Sequence, residues 1–242
     1  MIRSVALLGA SGDLAVVRVA AGLGETTVVT LAPPGAAVDE LLASARAAGA
    51  ARLVRLWDEA VESTDYLGVA FALAGTVRAL VGDLTASPTA PAQPVVIVCG
   101  DGGRGAVGPA VAERLGVPHL GEVVGAQVIE SRVVARRRSG TMVRMYGGAP
   151  PLVLCVAPVA LARAAAPSEA AAWTSAAKDS GEAEVWTLDR IGLTSAELAY
   201  RKRFRPQPAP GPVATPLRFA NARELVARLR SDGVLPGQGK SG

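Results

Sequence analysis

Short apolar runs recur along the first half of the chain, and each is followed by a stretch with helical spacing. Residues 2–8 (IRSVALL) read as a buried strand, and the small-residue turn GASGD follows it. Residues 14–23 (LAVVRVAAGL) carry one polar position and read as a helix closed by Gly24. Residues 27–32 (TVVTLA) form a second strand that Pro33 and Pro34 end. Residues 37–48 place Leu41, Leu42 and Ala45 on one helical face. Residues 52–57 (RLVRLW) alternate apolar and basic, which predicts a strand with a partly open face. Ser63, Thr64 and Asp65 cap a helix that runs to Leu80, and 84–94 is a loop rich in Pro, Ser and Thr. Residues 95–99 (VVIVC) are a strand, GDGGRG is a turn, and 109–115 is a helix.

Strands that alternate with helices predict an α/β fold: a doubly wound, mainly parallel sheet of Rossmann-like type. Ligands in such sheets sit at the carboxyl ends of the strands. Two glycine-rich turns fall there, one with Gly9, Ala10, Ser11 and Gly12, the other running from Gly100 to Gly105. Beyond Pro118 the pattern changes. Residues 122–136 and 141–146 read as the arms of a β-hairpin turning at Arg138, Ser139 and Gly140. Residues 152–157 (LVLCVA) are another buried strand, 159–183 are Ala-rich and weakly patterned, and 184–188 (EVWTL) are a short strand or an extended segment. Five prolines in 204–216 predict an extended arm, and 221–232 are a helix with Asn221 as cap and Glu224 at the capping-box position. The division is therefore 1–190, an α/β domain carrying the hairpin 122–146, and 191–242, an arm with a helix.

Half of the 242 residues are hydrophobic but aromatics make up only 4%, so the core is built from Ala, Val and Leu. The net charge of +4 draws on clusters such as Arg136, Arg137 and Arg138. Such a cluster reads as a solvated face; no aromatic interleaves the basic residues of 132–144, so nucleic acid is not the expected partner. Cys99 and Cys155 each lie in an apolar run and read as buried small hydrophobes in a reducing cytoplasm. One histidine, His119, leaves little material for a metal cluster or a nucleophile–histidine pair. No apolar run reaches the roughly 18 residues of a transmembrane helix, so no membrane insertion is expected. Trp57, Tyr66, Trp173 and Trp186 read as packing residues, and Asp58, Glu59, Glu62 and Asp65 as a solvated acidic turn.

The stretch VALLGASGDLA resembles the NADP fingerprint of glucose-6-phosphate dehydrogenases over about ten residues, but Val16, Val17 and Arg18 stand where those enzymes carry a lysine. A wider resemblance lies in GDGGRGAVGPAVAERLGVP, which is similar to the nucleotide loop and helix of electron-transfer flavoprotein beta subunits. Gly105, Val107, Gly108, Pro109, Ala112, Glu113, Leu115, Gly116 and Pro118 stand at matching places. Upstream, ARAAGAARLVRLWDEAVESTDYLGVAFALAGTVRAL resembles that family's third strand, acidic turn and following helix; downstream, the hairpin, LVLCVAP and AEVWTLDRIGL follow in the family's order.

The resemblance implies a fold of the adenine-nucleotide alpha-hydrolase type and a small subunit that pairs with an electron-transfer flavoprotein alpha subunit as a heterodimer. It implies FAD held mainly by the alpha subunit, AMP or a second FAD in this subunit, and electrons passed from a flavin or nicotinoprotein dehydrogenase to an acceptor. By position, the nucleotide contacts fall on Leu7, Gly9, Ala10, Ser11, Gly12, Ala32, Gly100, Asp101, Gly102, Gly103, Arg104, Gly105, Ala106 and Val107. Arg104 would pair with a phosphate. On this reading 191–242 packs on the partner, and no side chain acts as acid, base or nucleophile, because the flavin carries the redox step. Gly103 and Ala106 replace the family's polar loop residues, and the loop at 161–181 keeps only Pro167 and Lys178 of its dehydrogenase-docking sequence. These departures point to a specialised pathway, such as one using mycofactocin. Two alternatives stand beside it: a nucleotide-binding structural or regulatory module without electron transfer, and an NADP-dependent enzyme.

Overall fold

The computed structural model describes residues 2–9, 14–62, 64–82, 84, 94–100, 106–157, 182–198 and 222–232. The apolar runs become β1 (Arg3–Leu8), β2 (Glu25–Leu31), β3 (Arg52–Leu56), β4 (Val95–Gly100) and β8 (Leu152–Val156). With β5 (His119–Ile129), β6 (Arg132–Ser139), β7 (Met142–Gly148) and β9 (Glu184–Trp186) they form one sheet in the order β7-β6-β5-β8-β4-β1-β2-β3-β9. The strands from β8 to β9 pair in parallel; β5–β6 and β6–β7 pair antiparallel. The fold is α/β and doubly wound.

The period of two along each strand sorts side chains into two layers. Val5 and Leu7 of β1, Ile97 and Cys99 of β4, and Val153 and Cys155 of β8 face one layer. That layer is closed by α4 (Tyr66–Val81) and α5 (Val107–Leu115). Ala6 and Leu8, Val96 and Val98, and Leu152 and Leu154 face the other, closed by α1 (Leu14–Ala21) and α2 (Ala36–Ala47). Val95, Val96, Ile97 and Val98 are all fully buried, which is why β4 reads as an unbroken apolar run. Each such side chain contributes roughly 1.5–3 kcal/mol by leaving water.

Polar groups at the amino end of the sheet are satisfied internally. Ser4 Oγ donates to the Ala20 carbonyl at 2.9 Å and lies 2.7 Å from Thr26 Oγ1. The acidic turn is structural. Asp58 Oδ1 accepts from the Ala60 amide at the start of α3 (Glu59–Glu62), and Asp65 Oδ1 accepts from the Leu67 and Gly68 amides as the cap of α4.

The expected hairpin is a three-stranded ribbon. A further turn at Glu130 and Ser131, both with positive φ (48° and 65°), splits the expected first arm into β5 and β6. Two left-handed residues in succession usually call for Asn-Gly, so Glu-Ser gives no turn signal in the sequence. The start of β5 runs parallel to β8; a register shift between Leu120 and Val123, with Glu122 at φ 57°, then frees the rest of β5 to pair with β6.

The chain separates into two compact units, Met1–Lys202 and Arg203–Gly242. In the first, the 3₁₀ turn Asp189–Ile191 and α6 (Ser195–Leu198) lie against α4, and Thr64 Oγ1 donates to the Leu198 carbonyl at 2.6 Å. In the second, α7 (Ala222–Ser231) is described, with Arg228 paired to Asp232 at 2.9 Å. Asn221 and the proline-rich arm at 204–216 lie outside the described residues.

Candidate functional site

The chain reverses its direction of travel across the sheet between β1 and β4. From β1 it steps outward to β2 and β3, then returns to place β4 on the other side of β1. The helix after β1 (α1) covers one face, and the helix after β4 (α5) covers the other. This switch point, at the carboxyl edge between β1 and β4, is the position where open α/β sheets have their ligand crevice.

Several residues read from sequence as nucleotide contacts lie at this edge. Leu7 lies in register between Val29 and Cys99, buried on the α5 side. Gly9 is exposed immediately beyond β1, Ala32 is buried just after β2, and Gly100 is the half-buried last residue of β4. Ala106 and Val107 begin α5 and are half-buried. The structure thus brings Leu7, Gly9, Ala32, Gly100, Ala106 and Val107 to one edge. Ala10, Ser11, Gly12, Asp101, Gly102, Gly103, Arg104 and Gly105 lie outside the described residues.

Local chemistry at this edge suits an anion or a hydroxyl-rich ligand. Ala106 is the N-cap of α5 and provides no side-chain cap, in contrast to Asp65 on α4. The first turn of α5 carries no acidic residue, so no carboxylate of that turn competes for its amide groups. Two groups that sequence reasoning passed over lie nearby. Thr30 Oγ1 is buried without a hydrogen-bond partner among the described residues, and so is Arg55 Nε. Thr30 is in register with Leu8 on one side and Arg55 on the other, one rung from the ends of β2 and β3. Both face the α1–α2 side, where Arg55 Nη1 reaches Asp39 Oδ1 of α2 at 3.1 Å. The signal was the polar interruption of TVVTLA and RLVRLW. The other such atoms, Asp65 Oδ2 and Arg137 Nε, lie at the N-cap of α4 and on β6. An adenine nucleotide fits this set: small residues admit it, α5 offers amides to a phosphate, and Thr30 offers a hydroxyl.

The shifted carboxylate belongs to the far edge of the sheet. Glu184 on β9 accepts from Arg52 Nε (2.7 Å) and Nη2 (3.0 Å), Trp186 Nε1 (3.0 Å) and Arg190 Nη2 (3.3 Å). The Arg52 and Trp186 hydrogen bonds hold it below the ordinary carboxylate range, at about 2. The guanidinium carbons of Arg190 and Arg52 lie 4.3 and 5.7 Å from the Trp186 ring centre. This cluster fastens β9 to β3. Trp186 is buried in the core, and Trp57 packs against the same layer. Trp173 lies outside the described residues. A cavity of about 470 Å³, with a broad mouth, runs along α5 past Tyr66, Leu67, Pro109, Ala110, Glu113 and His119, and shares Ala106 with the crevice.

Residues 13–189, which include β4 and α5 on one side of the switch point, match the electron transfer flavoprotein domain. The chain belongs to the electron transfer flavoprotein family, as a beta-type member. It is similar to Protein FixA of Azorhizobium caulinodans, 30% identical over 225 residues that cover 85% of this chain and 75% of that protein. Protein FixA of Bradyrhizobium diazoefficiens is 35% identical over 139 residues, covering 52% of this chain and 45% of the relative, less than half of its length. Protein FixA of Sinorhizobium fredii is 29% identical over 201 residues, covering 76% and 66%. Membership of the family implies flavin involvement in general terms. Among the described residues, no helix is long and apolar enough to cross a membrane, and no group of His, Cys, Asp and Glu is placed to hold a metal ion.

Proposed function

We propose that this chain is the small subunit of a two-subunit electron carrier. It pairs with an electron-transfer flavoprotein alpha subunit as a heterodimer, works in the cytoplasm, and passes electrons from a flavin or nicotinoprotein dehydrogenase to an acceptor in a specialised pathway, such as a mycofactocin-linked one. One observation carries the reading: the family match covers residues 13–189, from α1 through β4, the glycine-rich stretch 100–105 and α5 to β9. FAD, held mainly by the alpha subunit, supplies the redox chemistry when bound. This chain's part is to hold an adenine nucleotide, AMP or a second FAD, in the crevice. Gly9 and Ala32 leave room for the ligand, the α5 amides and Arg104 receive a phosphate, and Thr30 donates its hydroxyl. The C-terminal arm and helix pack on the alpha subunit.

Co-expression with an alpha subunit should give a yellow complex of one copy each, and its absorbance spectrum is the decisive measurement. A colourless chain that stays monomeric beside that subunit would overturn the reading. The alanine at position 106 and glycine at 103, in place of polar loop residues, favour a second reading: a nucleotide-binding or regulatory module without electron transfer. Mass spectrometry of the denatured complex separates the two, since released FAD supports the carrier and its absence supports the module.

A further inference from the structure

The two cysteines of the sequence come together beneath the crevice. Cys99 of β4 and Cys155 of β8 are register partners on neighbouring parallel strands and point into the same layer. Their sulfurs are 3.5 Å apart. They lie one rung from the last pairing of these strands, Gly100 with Val156. The cover over them is Gly108 in the first turn of α5. A Cβ at that position would sit 2.5 Å from both sulfurs, so α5 closes on the pair because residue 108 has no side chain. Packing alone does not ask for thiols here. The rungs below are filled by Val98 with Leu154 and Ile97 with Val153, and a small aliphatic pair would serve equally well.

We propose that Cys99 and Cys155 are a modification site: a dithiol that a hydroperoxide oxidises to a disulfide, changing the surface on which the first turn of α5 rests. The strand geometry permits the bond. Neighbouring parallel strands lie about 4.8 Å apart, within the roughly 4.4–6.8 Å that a disulfide spans between Cα atoms. The sulfurs have to close from 3.5 Å to about 2 Å. Cys155 is the more exposed of the two, 7% against 3%, and takes the oxidant. Its sulfur loses a proton and attacks a peroxide oxygen; the O–O bond breaks and the leaving oxygen takes up a proton. The Cys99 sulfur then attacks the resulting sulfenic acid. The S–S bond forms, the S–OH bond breaks, and water leaves with the proton from Cys99. Two thiols lose two hydrogens in all, and the hydroperoxide is reduced to an alcohol (water, for hydrogen peroxide) and water.

The test uses the full chain, reduced and then exposed to hydrogen peroxide, denatured in N-ethylmaleimide and weighed intact. A mass lower by two hydrogens with no maleimide added, and a peptide linking 99 to 155, is the expected result. Hydrogen exchange over 106–111 should change on oxidation in the wild type and stay unchanged in Cys155→Ser, which retains one thiol and cannot close the bond. Two maleimides added after peroxide, oxygen atoms added without a link, or a covalent dimer would each overturn the proposal. So would identical exchange in oxidised and reduced wild type. Cys99→Ser gives the same control from the other strand should Cys155→Ser fold poorly.

Discussion

Glu184→Gln removes the negative charge that fastens β9 to β3 while keeping the shape and one acceptor oxygen. The carboxylate receives two hydrogen bonds from Arg52 and one each from Trp186 and Arg190, and its value falls to about 2. Taken at face value, that shift corresponds to roughly 3 kcal/mol at about 1.36 kcal/mol per pH unit. The Arg52 and Glu184 side chains are 41% and 38% exposed, so solvent screening cuts the contribution to about 1 kcal/mol. The pH dependence has a definite sign. The folded chain keeps this carboxylate charged down to about 2, whereas the unfolded chain protonates it near pH ~4.3. The unfolded state therefore binds more protons in that window. The contribution is complete above about pH 4.3 and is lost as the pH falls towards 2. Urea unfolding of wild type and Glu184→Gln, followed by tryptophan fluorescence, should show a difference of about 1 kcal/mol near neutral pH that shrinks on acidification to about pH 3. A difference that stays constant between those conditions, or that grows in acid, would refute the assignment of the charge to this cluster.

Three further outcomes are expected. Ile97→Ala empties a fully buried site at the sheet centre and should lower unfolding free energy by about 2–5 kcal/mol in the same assay. Asp65→Ala removes the cap that accepts from Leu67 and Gly68 and should cost about 1 kcal/mol, with faster amide exchange confined to the first turn of α4. Thr30→Val replaces a buried, unpartnered hydroxyl and should stabilise the nucleotide-free chain by about 1 kcal/mol while weakening retention of an adenine nucleotide, read by thermal shift with and without AMP.

The central strands were legible because burial on both faces writes an unbroken apolar run, as in VVIVC. Helix α4 was legible through its Asp65 cap. Less legible was whatever depends on neighbours far away in sequence. EVWTL could be read as strand or extended, because three residues become β9 only by pairing with β3 and through the Arg52–Glu184 contact. The turn at Glu130–Ser131 was hidden because its left-handed residues carry side chains. At the site, glycine spacing marked both turns, and the family pattern added Leu7 and Ala32. Thr30 and Arg55 went unnoticed because the missing partners of Thr30 Oγ1 and Arg55 Nε are a property of packing. Cys99 and Cys155 were each legible as buried, but their opposition follows from strand order, which puts β8 beside β4.

The return of the chain at β4 has a consequence for how the protein comes into being. On one flank β1 meets β2, its near neighbour in sequence; on the other it waits for β4, so Leu7 meets Cys99 only after α2, β3 and α4 have been made. Closing that long loop is entropically slow, and contacts of such separation retard folding. Among the strands from β1 to β4, the seam between β1 and β4 is thus the last to close. During synthesis one side of β1 is therefore an unpaired edge until β4 arrives, and the switch point between them is completed late.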